Sequence, residues 1–308
     1  MSEPRLEYVS CAGPSGIHRM AYWEWGSPSS DKTLVCVHGL TRCGRDFDEL
    51  AQRLASRYRV VAPDIVGRGR SDWLADPAGY TVPQYISDIL TLIARLDVDE
   101  VDWLGTSMGG LIGLGLAGAL AASSLQRPQR GNFGLPAARS LRLGKMALND
   151  IGPRLDRQGL ARIAAYVGKN VSFDTFDEAV AYVQGVSQGF GPHTQEQWNR
   201  LTRDVFNQEN GRWIRHYDLR LAEPMALQNE ATLDAAEQML WSAFESLASP
   251  ILVLRGTESD VLTEDTAREM SARNAHTQLV EFAGVGHAPT LLSDEQIQPI
   301  KHFFLGSD

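Results

Sequence analysis

The stretch Gly105-Thr106-Ser107-Met108-Gly109 decides the fold of this chain. It fits the pattern G-x-S-x-G, in which a strand runs into a serine and a helix runs out of it. Both flanks are expected here, because Val101–Thr106 is predicted to be a strand and the apolar run Met108–Ala122 a buried helix. A tight turn of this kind lifts the serine hydroxyl clear of the sheet and places it at a helix N-terminus, whose partial positive charge favours developing anions. Ser107 is therefore the candidate nucleophile.

On both sides of this turn, short apolar runs alternate with helical patterns, which is typical of a mostly parallel sheet with crossover helices. The expected strands are Leu6–Cys11, Ile17–Trp25, Thr33–His38, Arg59–Asp64, Val101–Thr106, Lys145–Asn149, Pro250–Arg255 and Thr277–Phe282. The first two should form an antiparallel pair around a Gly/Pro/Ser turn. The prediction is an α/β fold with an eight-stranded, mostly parallel sheet flanked by helices.

The pattern changes between Pro153 and about Leu247, where helical signals continue without a clear strand. We interpret residues 1–152 and 248–308 as the sheet core, and 153–247 as a helical cap insertion with its return helix. A cap of this kind should cover the carboxyl ends of the strands, where clefts form in open α/β sheets. Of its nine aromatic side chains between Tyr166 and Tyr217, about a third are expected to line a pocket. The segment Ser123–Ser140 has little periodicity and is predicted to be a surface loop.

A serine hydroxyl needs a base to remove its proton, and the base needs a carboxylate to orient it. The candidate base is His287, which follows the last predicted strand in Gly284-Val285-Gly286-His287. The preferred carboxylate is Asp260, just beyond the strand Pro250–Arg255, because the chain order serine, acid, histidine is the one that this kind of site uses. Asp150, at the end of the preceding strand, is the alternative.

An ester-type tetrahedral intermediate also needs two hydrogen-bond donors for its oxyanion. We expect them to be the backbone N–H groups of Met108, after the nucleophile, and of Leu40, in the loop after the third strand. His38 is expected to hold that loop rather than to react. For Arg42 two roles are open: a bidentate clamp on a substrate carboxylate, or a salt bridge to Asp46 or Asp48 that braces the loop.

The composition and the net charge of the chain argue against other classes of partner. The chain has 308 residues and a formal net charge of -9, and no Lys/Arg block accompanies aromatic residues, so a nucleic-acid partner is not expected. The run Met108–Ala122 is short for a membrane span. Three cysteines without metal spacing, and a charged N-terminus without an apolar core, favour a reducing cytoplasm. We expect no metal and no organic cofactor, a small-molecule ester as substrate, and a monomer or homodimer.

Together these residues resemble the α/β-hydrolase superfamily over nearly the whole chain. The likeness is carried by His38-Gly39, by Pro63-Asp64 with Gly67-Arg68-Gly69-Arg70-Ser71, by Gly105–Gly110, by Asp260 and by Gly286-His287. Within the superfamily the chain is similar to bacterial carboxylesterases, enol-lactone hydrolases and hydrolases of short hydroxyalkanoate oligomers. The resemblance implies hydrolysis of a carboxylic ester through an acyl-enzyme on Ser107.

Alternatives remain within the fold and outside it. A carbon–carbon bond hydrolase or a cofactor-free perhydrolase would use the same three residue types, although Leu40-Thr41-Arg42 replaces the glycine-rich stretch usual in the former. Branches with an aspartate nucleophile are set aside because this position is Ser107. A non-catalytic ligand receptor on the same fold is the alternative from another class.

Overall fold

The computed structural model describes residues 3–125 and 140–306. Its main sheet has eight strands in the order β1-β2-β4-β3-β5-β6-β10-β11. Their bounds are β1 Arg5–Gly13, β2 Gly16–Trp25, β3 Thr33–Val37, β4 Arg59–Pro63, β5 Glu100–Thr106, β6 Arg142–Asn149, β10 Ile251–Gly256 and β11 Thr277–Phe282. β1 and β2 pair antiparallel, β2 joins β4 antiparallel, and the remaining pairs are parallel. The predicted eight-stranded, mostly parallel sheet is confirmed.

Helices cover both faces of this sheet because its central strands are apolar on both sides. The helices of the core are α1 Asp48–Leu54, α2 Val82–Leu96, α3 Met108–Leu125, α9 Glu264–Arg273 and α10 Asp294–Leu305. α2 and α3 bury their apolar sides in one hydrophobic cluster, and α1 and α10 pack on the other face. α3 begins directly after Ser107 and ends at Leu125, so the first part of the predicted Ser123–Ser140 loop is helical. The rest of that prediction, 126–139, lies outside the described residues.

The segment between β6 and β10 holds helices and a second, small sheet. The helices are α4 Arg157–Ala164, α5 Phe176–Val186, α6 Gln195–Arg203, α7 Ala222–Ala226 and α8 Glu230–Glu245. The strands are β7 Ser172–Phe173, β8 Phe206–Glu209 and β9 Arg212–Arg215, in the order β7-β9-β8. The expectation of a purely helical insertion is therefore wrong. This segment has its own apolar cluster around Leu201 and Phe206, and α8 returns to pack against α3.

Backbone hydrogen bonds join this inserted segment to the core directly after β9. The N–H of Gly69 donates to the carbonyl of His216 at 3.1 Å, and the N–H of Asp218 donates to the carbonyl of Gly67 at 2.8 Å. Gly67 and Gly69 have φ values of 87° and 55°, the left-handed region that favours glycine. The Gly-rich loop after β4 therefore fixes the end of β9 against the core.

No helix in the described ranges has the length and apolarity that crossing a bilayer requires.

Candidate active site

Ser107 lies at the sharp turn between β5 and α3. Its φ is 51°, in the left-handed region, which a non-glycine residue adopts only under constraint. The flanking glycines make the turn possible: a Cβ on Gly105 would lie 2.4 Å from the backbone of Gly109, and a Cβ on Gly109 would lie 2.0 Å from the carbonyl oxygen of Val37. The turn therefore depends on both glycines of the G-x-S-x-G pattern for steric reasons.

His287 lies in the loop between β11 and α10 and reaches the serine. Its Nε2 is 2.8 Å from Ser107 Oγ, a hydrogen-bond distance suited to proton transfer. The imidazole is 8% exposed, so water has little access to it. The predicted contact between these two residues, 180 positions apart in the chain, is present in the structure.

The carboxylate that contacts the imidazole is Asp150, not Asp260. Asp150 Oδ2 lies 2.7 Å from His287 Nδ1, and its side chain is fully buried. Three donors surround this carboxylate, because the N–H of Gly256 donates to Oδ1 at 2.9 Å and Ser259 Oγ donates to Oδ2 at 2.5 Å. These bonds fix the orientation of the carboxylate. The alternative left open by the sequence is the one that the structure supports.

Asp260 has a different partner. Its two oxygens accept from the Nε and Nη2 of Arg162, on α4 of the inserted segment. The hydrogen bonds from this guanidinium hold the pKa of Asp260 below its usual value. The physical reason for the wrong prediction lies in the loops: Asp150 directly follows β6 and is buried against His287, whereas Asp260 lies four residues past the end of β10 and its carboxylate binds Arg162.

Asn149, which the sequence analysis did not assign a role, joins the two reactive loops. Its Nδ2 donates to Thr106 Oγ1 at 3.1 Å, next to the nucleophile, and to the carbonyl of Pro289 at 2.9 Å, just past the histidine. The side chain is fully buried. Its position immediately before Asp150, at the end of a strand, is the signal that could have found it.

Of the two predicted oxyanion donors, Met108 follows Ser107 directly, and Leu40 follows Gly39, which lies beside the serine. Gly39 lies against the serine, since a Cβ on Gly39 would be 3.8 Å from Ser107 Cβ. Among the described residues, neither the N–H of Leu40 nor that of Met108 has a hydrogen-bond acceptor. Two unoccupied backbone donors near a nucleophile are what an oxyanion needs.

His38 holds the loop that carries Leu40, as expected. It is fully buried, its Nδ1 lies 2.7 Å from the carbonyl oxygen of Gly39, and its Nε2 accepts from the N–H of Ile65 at 3.0 Å. Burial lowers the pKa of His38 to about 3. A neutral ring with one donating and one accepting nitrogen fits these two bonds.

Arg68, another residue without an assigned role, contacts both residues that carry the predicted donors. Its Nε donates to the carbonyl of Leu40 at 2.9 Å, and its Nη2 lies 3.4 Å from Met108 Sδ. The side chain is 0% exposed and pairs with no carboxylate among the described residues. Its guanidinium carbon lies 5.0 Å from the ring centroid of Tyr85, a cation–π distance. A buried positive charge without a carboxylate partner among the described residues therefore contacts both residues that carry the predicted donors.

Arg42 braces its loop. Its Nε and Nη2 donate to the two oxygens of Asp46 at 2.9 and 2.5 Å, and its Nη1 donates to the carbonyl of Leu201 at 3.2 Å. A guanidinium held bidentately by one carboxylate is poorly placed to clamp a second. The structure favours the brace over the substrate clamp, with the acid being Asp46 rather than Asp48.

A cavity of about 440 Å³ opens between His287 and the inserted segment. This volume falls in the range of small-molecule sites, about 300–1,000 Å³. Of the nine aromatic residues between Tyr166 and Tyr217, five line the cavity, more than the expected third: Tyr166, Tyr182, Phe190, Phe206 and Tyr217. Three arginines, Arg42, Arg162 and Arg215, also line it. The site combines an apolar, aromatic wall with several cationic groups.

Comparison with known proteins agrees with this geometry. Residues 34–297 match the model of the alpha/beta hydrolase family. The chain is 48% identical, over 99% of both chains, to a 3-hydroxybutyrate-oligomer hydrolase from Cupriavidus necator. A crystal structure of an alpha/beta hydrolase from Novosphingobium aromaticivorans is 33% identical over 100% of both chains, with a TM-score of 0.83. An E-2-(acetamidomethylene)succinate hydrolase, 20% identical over 97% of this chain and 99% of the other, has a TM-score of 0.75 and shares the fold. The chain belongs to the alpha/beta hydrolase family and is a hydrolase.

Proposed function

We propose that this protein hydrolyses the ester bonds of short 3-hydroxybutyrate oligomers through an acyl-enzyme on Ser107. The observation that carries the proposal is the hydrogen-bonded chain from Ser107 Oγ through His287 to Asp150, with distances of 2.8 and 2.7 Å. The substrate class is supported by the 48% identical hydrolase of such oligomers and by the aromatic cavity that His287 lines.

The first half of the reaction forms the acyl-enzyme. Ser107 Oγ attacks the ester carbonyl carbon while its proton passes to His287 Nε2. The oxygen that becomes negative accepts from the N–H groups of Met108 and Leu40, which stabilises the intermediate. The bond to the leaving alcohol oxygen then breaks, and the imidazolium returns the proton to that oxygen.

The second half releases the acid. A water molecule gives a proton to His287 and attacks the acyl carbon, the bond to Ser107 Oγ breaks, and the imidazolium protonates the serine again. One water is consumed for each ester that becomes an acid and an alcohol. Asp150 keeps the proton of the imidazole on Nδ1, so that Nε2 can accept. This chemistry requires no metal or organic cofactor.

The experiment is hydrolysis of 3-hydroxybutyrate dimer and trimer, followed by chromatography of the free monomer, with p-nitrophenyl butyrate as a neutral reference ester. We expect the wild-type protein to release monomer and Ser107→Ala, with an unchanged circular dichroism spectrum, to lose at least ~10³-fold in kcat. A pre-steady-state burst of p-nitrophenol is expected from the acyl-enzyme. Turnover of the reference ester without turnover of either oligomer would reject the substrate class, and retained activity in Ser107→Ala would reject the mechanism.

A further inference from the structure

The three arginines that line the cavity differ in how their charge is compensated. Arg42 is paired with Asp46, and Arg162 is paired with Asp260. Arg215, the last residue of β9, has no carboxylate partner among the described residues. It is therefore the one cavity arginine in the described part of the chain whose positive charge is uncompensated.

The neighbours of Arg215 are neutral hydrogen-bond acceptors. Its Nη1 donates to the carbonyl of Tyr166 at 3.2 Å and to the hydroxyl of Tyr217, and its Nη2 donates to the hydroxyl of Tyr182 at 2.5 Å. A guanidinium has five N–H donors, and these bonds use three. The Nε–H and one hydrogen of Nη2 remain. They belong to adjacent nitrogens, the arrangement with which arginine binds a carboxylate.

The surrounding rings and backbone hold this guanidinium in place. Its carbon lies 5.5 Å from the ring centroid of Tyr182 and 5.4 Å from that of Tyr217, so both rings contact the cation. The next residue, His216, is fixed to the core by the hydrogen bond from Gly69 described above. A positioned charge binds an anion more strongly than a mobile one, because less conformational entropy is lost on binding.

One acidic side chain of the cavity lining, Glu258, also lacks an ion-pair partner among the described residues. Glu258 is exposed, whereas Arg215 is half-buried. Water screens an exposed charge more effectively than a half-buried one. The attraction for an anion entering the cavity therefore remains centred on Arg215.

We propose that Arg215 binds the free carboxylate of the substrate and so selects acidic esters over neutral ones. The inference rests on the proposed function, in which the ester bond is presented to Ser107. In a 3-hydroxybutyrate dimer the carboxylate belongs to the leaving alcohol, so Arg215 orients the half of the substrate that departs first. It acts on binding and not on the bond-breaking step.

The test compares the free 3-hydroxybutyrate dimer with the same dimer capped as its primary amide, a neutral molecule of nearly equal shape. The wild-type protein is expected to favour the acid over the amide in kcat/KM. In Arg215→Gln we expect a ~10- to 100-fold loss for the acid, the range of a charge-assisted hydrogen bond, through a raised KM. Turnover of the amide and of p-nitrophenyl butyrate should stay within ~3-fold. The matched control is Arg212→Gln, on the same strand, whose side chain is exposed and binds Asp174 and Ser172 away from the cavity.

A second readout uses free 3-hydroxybutyrate as an inhibitor of p-nitrophenyl butyrate hydrolysis. We expect competitive inhibition of the wild-type protein and of Arg212→Gln, and a ~10-fold weaker inhibition of Arg215→Gln. Equal losses on the acid and the amide would overturn the proposal, as would a wild-type protein that does not distinguish them, a comparison that needs no variant. If both dimers fail as substrates while the reference ester is hydrolysed, the proposed substrate class is wrong, and the inhibition assay still decides whether Arg215 binds a carboxylate.

Discussion

Replacing Asp150 with Asn exchanges one oxygen for an amide nitrogen and reverses the hydrogen bonding around His287. In the structure this carboxylate accepts from three donors: His287 Nδ1–H, Ser259 Oγ–H and the N–H of Gly256. An amide has one acceptor oxygen and two N–H donors, so it cannot accept at both positions. When the amide nitrogen faces the imidazole, Nδ1 becomes the acceptor and the proton moves to Nε2. A protonated Nε2 cannot take the proton of Ser107.

The size of the effect follows from this tautomer change. The corresponding substitution in serine proteases costs about 10⁴-fold in kcat. At about 1.36 kcal/mol for each factor of ten, this corresponds to about 5.4 kcal/mol of transition-state stabilisation. When the amide oxygen instead faces the imidazole, the amide nitrogen faces the N–H of Gly256, and the loss of this acceptor costs about 1–3 kcal/mol of folding stability. We therefore expect both a large loss of kcat and a moderate loss of stability.

The assay is steady-state hydrolysis of p-nitrophenyl butyrate, with urea denaturation to measure the free energy of unfolding. The matched control is Asp260→Asn, since Asp260 lies in the loop after β10 and pairs with Arg162, and the side chains of Asp260 and Arg162 are partly exposed at 39% and 45%. An ion pair this exposed contributes about 0–1 kcal/mol. For the control we expect kcat within ~3-fold of wild type. The reasoning fails if Asp150→Asn keeps kcat within ~10-fold of wild type, or if Asp260→Asn loses as much.

Three further substitutions test the surroundings of the site. Gly109→Ala places a Cβ 2.0 Å from the Val37 carbonyl oxygen, so we expect the free energy of unfolding, measured by urea denaturation, to fall by about 1–3 kcal/mol or more. The control Gly185→Ala should be tolerated, because no atom lies within 4 Å of the added Cβ. His38 has a folded pKa of about 3 against an ordinary 6.5, so between these values the unfolded chain binds more protons and stability falls as the pH drops below ~6.5. His38→Gln should remove this contribution, which is up to ~1.4 kcal/mol per pH unit, from the slope of the free energy of unfolding against pH. An unchanged slope in the variant would contradict the prediction. Arg68→Met removes the buried positive charge that contacts Leu40 and Met108. We expect a ~10-fold fall in kcat with an unchanged KM for p-nitrophenyl butyrate. A change in KM alone would contradict an electrostatic role of Arg68.

The strands and the nucleophile turn could be predicted from the sequence because local patterns carry them. Each core strand is a short apolar run followed by a break, and the turn at Ser107 requires two glycines whose spacing is fixed by sterics. The contact with His287 followed from its place after the last strand.

The partner of His287 could not be chosen in this way, because the choice depends on the direction in which each loop turns after its strand. Asp150 and Asp260 both follow a predicted strand, and the sequence does not reveal that Asp150 is buried against His287 while Asp260 pairs with Arg162 on α4. The left-handed φ of Asp150, 57°, also has no sequence signature beyond the tolerance of Asp for that region.

The hairpin of β8 and β9 was missed although it has a local signal. Its two-residue turn is Asn210-Gly211, with φ values of 49° and 79°, and Asn-Gly is the preferred pair for such a turn. The flanking strands are short and polar, so hydrophobic alternation did not mark them. Missing the hairpin also meant missing Arg215 at its end.

Ser259 and Asp260 are consecutive residues whose side chains bind different partners. The hydroxyl of Ser259 supports the carboxylate of Asp150, while Asp260 grips Arg162 on α4. The loop after β10 therefore contacts both α4, at the wall of the cavity, and the carboxylate that orients the imidazole of His287. A substitution in this short stretch changes the surroundings of the cavity and of the reactive groups at the same time.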